Sequence, residues 1–356
     1  MISVQKQIRP STKVKIPPKQ RDGAIDMLRG LSILLVILLH IVPYYLQYPI
    51  SQWLWSWGQW VVPAFILCSI AVNNFEINSW SEYFAYILKR LKRLLIPYYL
   101  WLFIYTLMQV YIGHKSINLK YFFQNITLTG GTDFNWLVLL FVYLTIALPI
   151  IQKIIKKSEI ISVIGIIITA MVSVYFIWNR PYLAGIYRFS MIIPWYGIAI
   201  ALLLFLKWFR SKHWWKIALL IGSSFGVFVV SYQYFLTLHQ SLNTYYHKYP
   251  PDIYYYSFCL WTVPVVYIMT WLVSRPNILP SPIKTAFQYV SQRSYSLFFI
   301  HILVLFVLDV KFPTRPFSYL SFCIITFIIT FILMVVIDYV SSFFKSLTSK
   351  EVVMKR

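Results

Sequence analysis

A long apolar run begins within the stretch Arg21-Asp-Gly-Ala-Ile-Asp26-Met-Leu-Arg29-Gly-Leu-Ser-Ile-Leu-Leu-Val-Ile-Leu-Leu-His40. It extends over residues 28–48, which is long enough to cross the ~30 Å hydrocarbon core of a bilayer as a helix. Nine further runs of similar length follow, near residues 53–73, 94–113, 134–152, 159–178, 188–206, 216–237, 253–273, 294–310 and 317–343. Lipid offers no partner for backbone amides, so each span must be helical. The pattern predicts an all-α polytopic membrane protein with about ten transmembrane helices.

The overall composition supports this fold class. Hydrophobic residues make up 59% of the 356 residues and charged residues 12%, and the mean hydropathy is +0.67. A soluble globular domain usually carries about 25% charged residues. A soluble fold of this size could not bury so much apolar side chain, whereas a bilayer surrounds it with hydrocarbon. The three cysteines lie in apolar runs without metal-ligand spacing, which favours small buried hydrophobic residues.

The distribution of Lys and Arg predicts how the helices are oriented. With the N terminus in the cytoplasm, 25 of the 32 Lys and Arg residues lie on the cytoplasmic side. Cytoplasmic segments of membrane proteins are enriched in these residues, so both termini are predicted to be cytoplasmic. We expect a basic cytoplasmic tail at 1–21, a transmembrane domain at 22–345 and a second cytoplasmic tail at 346–356.

The net charge of +22 does not require a nucleic-acid partner, because membrane topology accounts for its placement. The basic face is expected to meet the anionic lipid of the bilayer or an anionic cytosolic ligand. The chain is rich in Ile, Lys, Tyr and Phe and has only 11 Gly, a bias that suggests a low-GC genome. We therefore expect a multi-pass protein of a bacterial plasma membrane.

Arg29 and His40 are the first candidate site residues. Eleven positions separate them, so at about 100° per residue both lie on one helical face, roughly 16 Å apart. This spacing places Arg29 near the cytoplasmic boundary and His40 at mid-membrane depth, where an ionisable group is a functional candidate. An imidazole can act as a general base near neutral pH. The alternatives are a helix-packing histidine and an arginine that only anchors the topology.

A basic cluster, Lys89-Arg90-Leu-Lys92-Arg93, precedes the third apolar run. Arg90 and Arg93 are three residues apart and share a helical face. Two guanidinium groups side by side offer many planar donors, which suit phosphate groups. The alternative is that the cluster serves only as a topology signal.

A second intramembrane histidine, His301, lies in the late stretch Gln292-Arg293-Ser294-Tyr295-Ser296-Leu-Phe-Phe-Ile300-His301. Packing and functional roles are equally compatible with its position. Two acidic residues, Asp309 and Asp338, lie within or near spans and could pair with a cation. The chain has no P-loop, GxGxxG, HExxH or GxSxG motif, which argues against an ATP-driven pump, a dinucleotide enzyme, a zinc protease and a serine hydrolase with the usual nucleophile elbow.

Taken in order, these stretches are similar to the acyltransferase-3 family of membrane-bound acyltransferases, whose bacterial members often O-acylate surface polysaccharides. The resemblance covers residues 22 to about 310, and the family's ten-helix core agrees with the number of apolar runs. It rests on Arg29-(ten residues)-His40, Arg90-x-x-Arg93 before Leu-Leu-Ile-Pro-Tyr, Asn135-Trp136-Leu137 with Tyr143 further along, and Ser294-Tyr295-Ser-Leu-Phe-Phe-Ile-His301. Leu137 stands where the family usually has Phe.

The resemblance implies a role for each matching residue. His40 would be catalytic, and Arg29, Arg90 and Arg93 would be required for the acyl donor. A supporting role is implied for Asp26, Trp136, Tyr143, Ser294 and His301. We expect no appended extracytoplasmic esterase-like domain, which some family members carry.

The implied activity is O-acylation, with acetyl as the expected group. The donor would be cytosolic acyl-CoA, used as a substrate, with no permanently bound cofactor. The acceptor would be a hydroxyl of a polysaccharide or glycolipid, and proteins of glycan synthesis could be partners. Two other functions fit ten helices with ionisable groups at mid-depth: a transporter or flippase for a glycan, lipid or acyl compound, and a non-catalytic scaffold. The absence of a detectable repeat between the halves of the chain disfavours the transporter.

Overall fold

The computed structural model describes residues 22–73, 79–116, 118–179, 187–276, 278–314 and 316–354. Helix makes up 84% of the structure, and the described residues contain no β-strand. Within these ranges the α-helices, numbered in chain order, are α1 (Gly23–Ile41), α2 (Pro49–Trp57), α3 (Val61–Val72), α4 (Trp80–Tyr111), α5 (Leu119–Ile126), α6 (Asn135–Lys157), α7 (Glu159–Trp178), α8 (Tyr187–Ser190), α9 (Ile192–Arg210), α10 (Trp214–Thr237), α11 (Ile253–Val273), α12 (Ser281–Gln292), α13 (Ser294–Lys311) and α14 (Tyr319–Met354).

Ten segments of the described chain are long and apolar enough to cross a membrane. One of them, Pro49–Val72, combines α2, a short 3-10 turn and α3. The predicted all-α polytopic fold with about ten transmembrane helices is therefore confirmed. The cytoplasmic location of both termini stays a prediction. The basic tail at 1–21 lies outside the described residues.

The third span begins much earlier than the apolar run near 94–113 indicates. Ser79 caps α4, because its side chain accepts a hydrogen bond from the backbone amide of Glu82 at 3.2 Å. A Ser followed three residues later by Glu is a typical helix-start signal. Arg90 and Arg93 consequently lie well inside α4 rather than at the junction of a loop and a helix.

The helices separate into a central and a peripheral set. In the most apolar stretch of the span that contains α9, 67% of the residues are buried. In the spans formed by α1, by α2 and α3, by α11 and by α13, at least half of the residues in that stretch are buried. In the most apolar stretches of α4, α7 and α10 only 22% of the residues are buried, and the exposed large hydrophobic side chains of these helices are mostly Ile, Leu, Val and Phe. Apolar side chains on the outside of a bundle suit contact with lipid. The candidate residues of α1 and α13 therefore lie in the centre of the protein.

Close helix packing explains the glycine within the sixth apolar run. Gly197 lies in the middle of α9, and a Cβ atom there would collide with the hydroxyl groups of Thr169 in α7 and Tyr256 in α11. A residue without a side chain allows these three helices to cross closely. The glycine thus marks a helix crossing and does not break the span.

Candidate active site

His40 and His301 meet in the centre of the bundle. His40 lies in the last turn of α1, and its Nδ1 is 2.7 Å from Nε2 of His301 in α13. The imidazole rings stack at a centroid distance of 5.0 Å and an angle of 15°. The structure thus brings together two candidate residues whose contact could not be read from the sequence.

The hydrogen bonds around His301 determine which ring nitrogens carry hydrogen. Nδ1 of His301 lies 2.9 Å from the carbonyl oxygen of Leu297, which can only accept. Nδ1 of His301 therefore donates, and Nε2 of the neutral ring accepts a hydrogen bond from Nδ1 of His40. Nε2 of His40 is left as the nitrogen with the free lone pair. A base is thereby held in one tautomer.

Aromatic rings fix the orientation of His40. Phe134 meets its ring edge-on at a centroid distance of 5.2 Å, and Phe298 does so at 6.2 Å. His301 is completely buried beside them. These contacts leave His40 little freedom to rotate away from His301.

Two cavities adjoin in this region. The first, which we call the histidine cavity, has a volume of about 510 Å³ and is lined by His40, Gln59, Asp133, Trp136, Lys248 and Asp309. The second, the arginine cavity, has a volume of about 500 Å³ and is lined by Arg29, Ser69, Arg90, Arg93, Ser294 and Tyr295. Leu137 and Phe298 line both. The cavities therefore adjoin at these two side chains, close to His40.

The three arginines converge on the arginine cavity near the end of α3. Arg29 donates to the carbonyl oxygen of Cys68 at 3.2 Å, and Arg90 donates to the hydroxyl of Ser69 at 3.2 Å. Positive charge is favourable at a helix C terminus, so these contacts also stabilise the fold. A guanidinium group has five N–H donors, and one such bond leaves most of them available to a ligand. No carboxylate among the described residues pairs with these arginines.

The remaining predicted residues divide between the site and the scaffold. Trp136 lines the histidine cavity, and Ser294 lines the arginine cavity. Asp26 is buried where α1 meets α12, and it accepts a hydrogen bond from Ser291 at 2.7 Å. The carbonyl oxygen of Tyr143 accepts from Tyr196 at 3.2 Å. Neither Asp26 nor Tyr143 lines the two cavities, so the structure does not bring them to His40.

A buried polar network positions the loop between α5 and α6. Oδ1 of Asn125 accepts from the backbone amide of Thr132 at 2.9 Å and from the amide of Asn135 at 3.2 Å. The guanidinium group of Arg188 donates to the carbonyl of Leu128 at 2.9 Å and also to Asn135. The loop ends at Phe134, and Trp136 lies in the first turn of α6; both residues line the histidine cavity. In the sequence, this loop is indicated by the run of Asn, Thr and Gly residues before the Asn135-Trp136 pair.

Lys248 is a buried cation that the sequence analysis missed. Its side chain is 5% exposed, and Nζ donates to Oε1 of Gln59 at 3.2 Å. Nζ also lies 5.0 Å from the ring centroid of Trp136 and 5.2 Å from that of Tyr249. Burial lowers the pKa of Lys248 to about 7. The available signal was a single lysine in the otherwise uncharged segment 240–251 on the predicted outer side.

An ion pair holds the loop that carries Lys248. Nδ1 of His247 lies 2.6 Å from Oδ2 of Asp252, and Nε2 lies 2.7 Å from the carbonyl oxygen of Ser241. Each ring nitrogen of His247 therefore faces an oxygen atom within hydrogen-bond distance. Asp252 also caps α11 by accepting from the amide of Tyr255 at 3.1 Å. Hydrogen bonds at His247 and Asp252 therefore hold the loop that carries Lys248.

A family model described as an acyltransferase domain matches residues 22–339, nearly the whole chain. The chain belongs to the acyltransferase-3 family. No match was found among curated proteins or among solved structures. Family membership makes this protein a multi-pass membrane acyltransferase. In this acyltransferase, the family-like stretches supply His40 at the histidine cavity, His301 in contact with it, and three arginines at the arginine cavity.

Proposed function

We propose that this acyltransferase moves an acyl group, expected to be acetyl, from cytosolic acyl-CoA to a hydroxyl of a cell-surface or exported polysaccharide. The observation that carries the proposal is the hydrogen-bond chain from Leu297 through His301 to His40. It leaves a basic nitrogen beside the point where two cavities adjoin. A transfer between substrates that arrive from opposite sides of a membrane needs such an arrangement.

The arginine cavity suits the donor. Acyl-CoA carries several phosphate groups, and Arg29, Arg90 and Arg93 offer guanidinium donors that bind phosphate in charge-assisted hydrogen bonds. The long pantetheine arm would extend from these arginines toward Leu137 and Phe298. The thioester would then lie near His40. Acyl-CoA acts here as a substrate that binds and leaves.

The histidine cavity suits a sugar acceptor. Its walls combine aromatic rings, such as those of Trp136 and Tyr249, with polar groups, such as the amide of Gln59. A sugar ring has apolar C–H faces and polar hydroxyl groups, so it can use both kinds of contact. The acceptor is a polysaccharide or a glycolipid, and proteins of glycan synthesis are the partners that would deliver it. The lipid partner is the bilayer of a bacterial plasma membrane.

The transfer follows from the fixed tautomer of His40. Nε2 removes the proton of the acceptor hydroxyl while that oxygen attacks the thioester carbonyl. The imidazolium that forms keeps its Nδ1 hydrogen bond to His301. Cleavage of the carbon–sulfur bond releases the CoA thiolate, which takes the proton from Nε2. The ester product and CoA are formed, and the histidine returns to its starting state.

One observation also favours a second function. Two cavities of similar volume, separated by Leu137 and Phe298, would suit a transporter or flippase that passes a glycan, lipid or acyl compound between them. Such a protein would not need a basic nitrogen held in one tautomer. A transporter would also leave its substrate chemically unchanged, and this difference separates the two functions.

The test is transfer of a radiolabelled acetyl group from acetyl-CoA to an isolated surface glycan by purified protein in lipid nanodiscs. We expect CoA-dependent labelling by the wild type. His40→Gln should reduce it by about a hundredfold or more, because Gln keeps hydrogen bonding but takes no proton at neutral pH. Near-normal labelling by a folded His40→Gln variant would show that His40 is not the general base.

A further inference from the structure

We propose that Lys248 binds an anionic group of the acceptor, so that the preferred acceptor is a sugar carrying a carboxylate or a phosphate. This inference rests on the proposed function, because it assigns the histidine cavity to the acceptor. It concerns a residue outside the family-like stretches.

Lys248 has an incomplete set of partners. An ammonium group has three N–H donors, and Oε1 of Gln59 is the one hydrogen-bond acceptor that the described residues provide for Nζ. The rings of Trp136 and Tyr249 provide only cation–π contacts. A buried charge is costly unless it is paired and hydrogen-bonded. Nζ in the wall of a 510 Å³ cavity is therefore placed to meet an anion from that cavity.

The fold holds Lys248 in this position. The Lys248 side chain is 5% exposed and lies against the rings of Trp136 and Tyr249. These two rings meet edge-on at a centroid distance of 4.8 Å. The neighbouring His247–Asp252 ion pair is satisfied within the loop, so Asp252 is not the partner of Lys248. Gln59 lies in the 3-10 turn between α2 and α3, so its hydrogen bond with Lys248 ties the loop to the central helices. A lysine that served only solubility or topology would not need this support.

Other charged groups share the cavity but do not pair with Lys248. The charged or titratable groups around Lys248, apart from tyrosines, are His40, Lys115, Asp133, Asp309 and Cys259. Neither carboxylate forms a hydrogen bond with Nζ among the described residues.

The proposal predicts a pH dependence with a definite sign. The pKa of Lys248 is lowered by burial to about 7, so the free protein carries the ammonium form below that pH and loses it above. A bound anion favours the ammonium form and raises the pKa, so binding takes up a proton. Preference for an anionic sugar should be complete near pH 6 and fall by up to about tenfold per pH unit above 7.

The experiment measures binding of three probes to the purified full-length protein in nanodiscs by calorimetry. The probes are methyl glucoside, methyl glucosiduronate and methyl glucoside 6-phosphate, which differ only at the sixth carbon. We expect at least one anionic probe to bind about tenfold or more tightly than the neutral probe near pH 6. Which of the two binds better distinguishes a carboxylate from a phosphate.

Lys248→Met is the test variant, and Lys115→Met is its control. Both remove one cation from the same cavity, but Lys115 is exposed and Lys248 is buried. The preference should disappear in the first variant and persist in the second. Should Lys248→Met fail to fold, the pH dependence of the wild type still decides the question.

Three results would overturn the proposal: equal binding of neutral and anionic probes, a preference that survives Lys248→Met, or no binding of either anionic probe. Acetyl transfer that falls equally for neutral and anionic sugars in Lys248→Met would instead assign the lysine to the thioester carbonyl. Transfer by the wild type without any anionic preference would refute only the Lys248 proposal. Absence of transfer to every glycan, with anionic binding intact, would refute only the proposed function.

Discussion

Nε2 of His301 lies 2.7 Å from Nδ1 of His40, although 261 residues separate them in the chain. Because Nδ1 of His301 is committed to the carbonyl of Leu297, the contact sets the tautomer of His40. His301 is therefore a positioning residue that acts through His40. Its own ring is completely buried and does not line either cavity.

The first prediction concerns His301. Replacement by Leu removes the acceptor for Nδ1 of His40, so we expect transfer to fall by roughly a hundredfold. Replacement by Gln should be milder, within about tenfold, because its carbonyl oxygen can still accept from His40. The measurement is kcat for acetyl transfer at matched folded protein, with its pH profile. Equal losses in Leu and Gln would indicate that the ring is needed for packing rather than for its acceptor.

The fold was largely predictable because hydrocarbon imposes simple requirements. Ten apolar runs gave ten spans, since length and hydropathy decide which helices can cross. The start of α4 was missed because residues 80–93 are amphipathic and carry the basic cluster, which lowers their hydropathy. The Ser79–Glu82 cap was present in the sequence and specifies the start at Trp80.

The candidate site was predictable only in part. The helical spacing of Arg29 and His40 placed them on one face, but the residue that completes the histidine pair comes from a helix far along the chain. Lys248 lies in a loop without periodicity, so its burial depends on tertiary contacts with Gln59, Trp136 and Tyr249. Asp26 matched a family-like stretch, yet its carboxylate serves the contact between α1 and α12.

The second prediction concerns topology. Single cysteines at Asn118 and Tyr246 should react with an impermeant thiol reagent added outside cells, and cysteines at Lys156 and Lys284 should not. Tyr246 is preferable to the nearby Thr244, which is completely buried. The three native cysteines are buried and give a low background. Reversed labelling would place both termini outside and contradict the orientation inferred from Lys and Arg.

The third prediction concerns the loop between α5 and α6, which ends at Phe134. Gly131 has φ of +87°, and a Cβ atom there would collide with the side-chain amide of Asn125. Gly131→Ala should lower the free energy of unfolding by about 1–3 kcal/mol and also reduce transfer, because the loop lines the histidine cavity. Gly222→Ala is the control, since a Cβ atom in that part of α10 has open space around it. Thermal unfolding in detergent would distinguish them, and an unchanged melting temperature for Gly131→Ala would contradict the steric argument.

The last prediction separates ligand binding from topology at the basic cluster. Arg93→Lys keeps the positive charge but removes the planar set of donors, so the KM for acetyl-CoA should rise about tenfold while insertion stays normal. Arg90→Lys should raise the KM as well and also cost some stability, because Arg90 donates a hydrogen bond to the hydroxyl of Ser69.

Lys92→Ala is the matched control: Lys92 is exposed on the same helix, and it does not line the arginine cavity. If the cluster acts only as a topology signal, its function depends on positive charge and not on the planar guanidinium donors. In that case both Lys variants would keep the wild-type KM, whereas Arg93→Ala and Lys92→Ala would impair insertion alike.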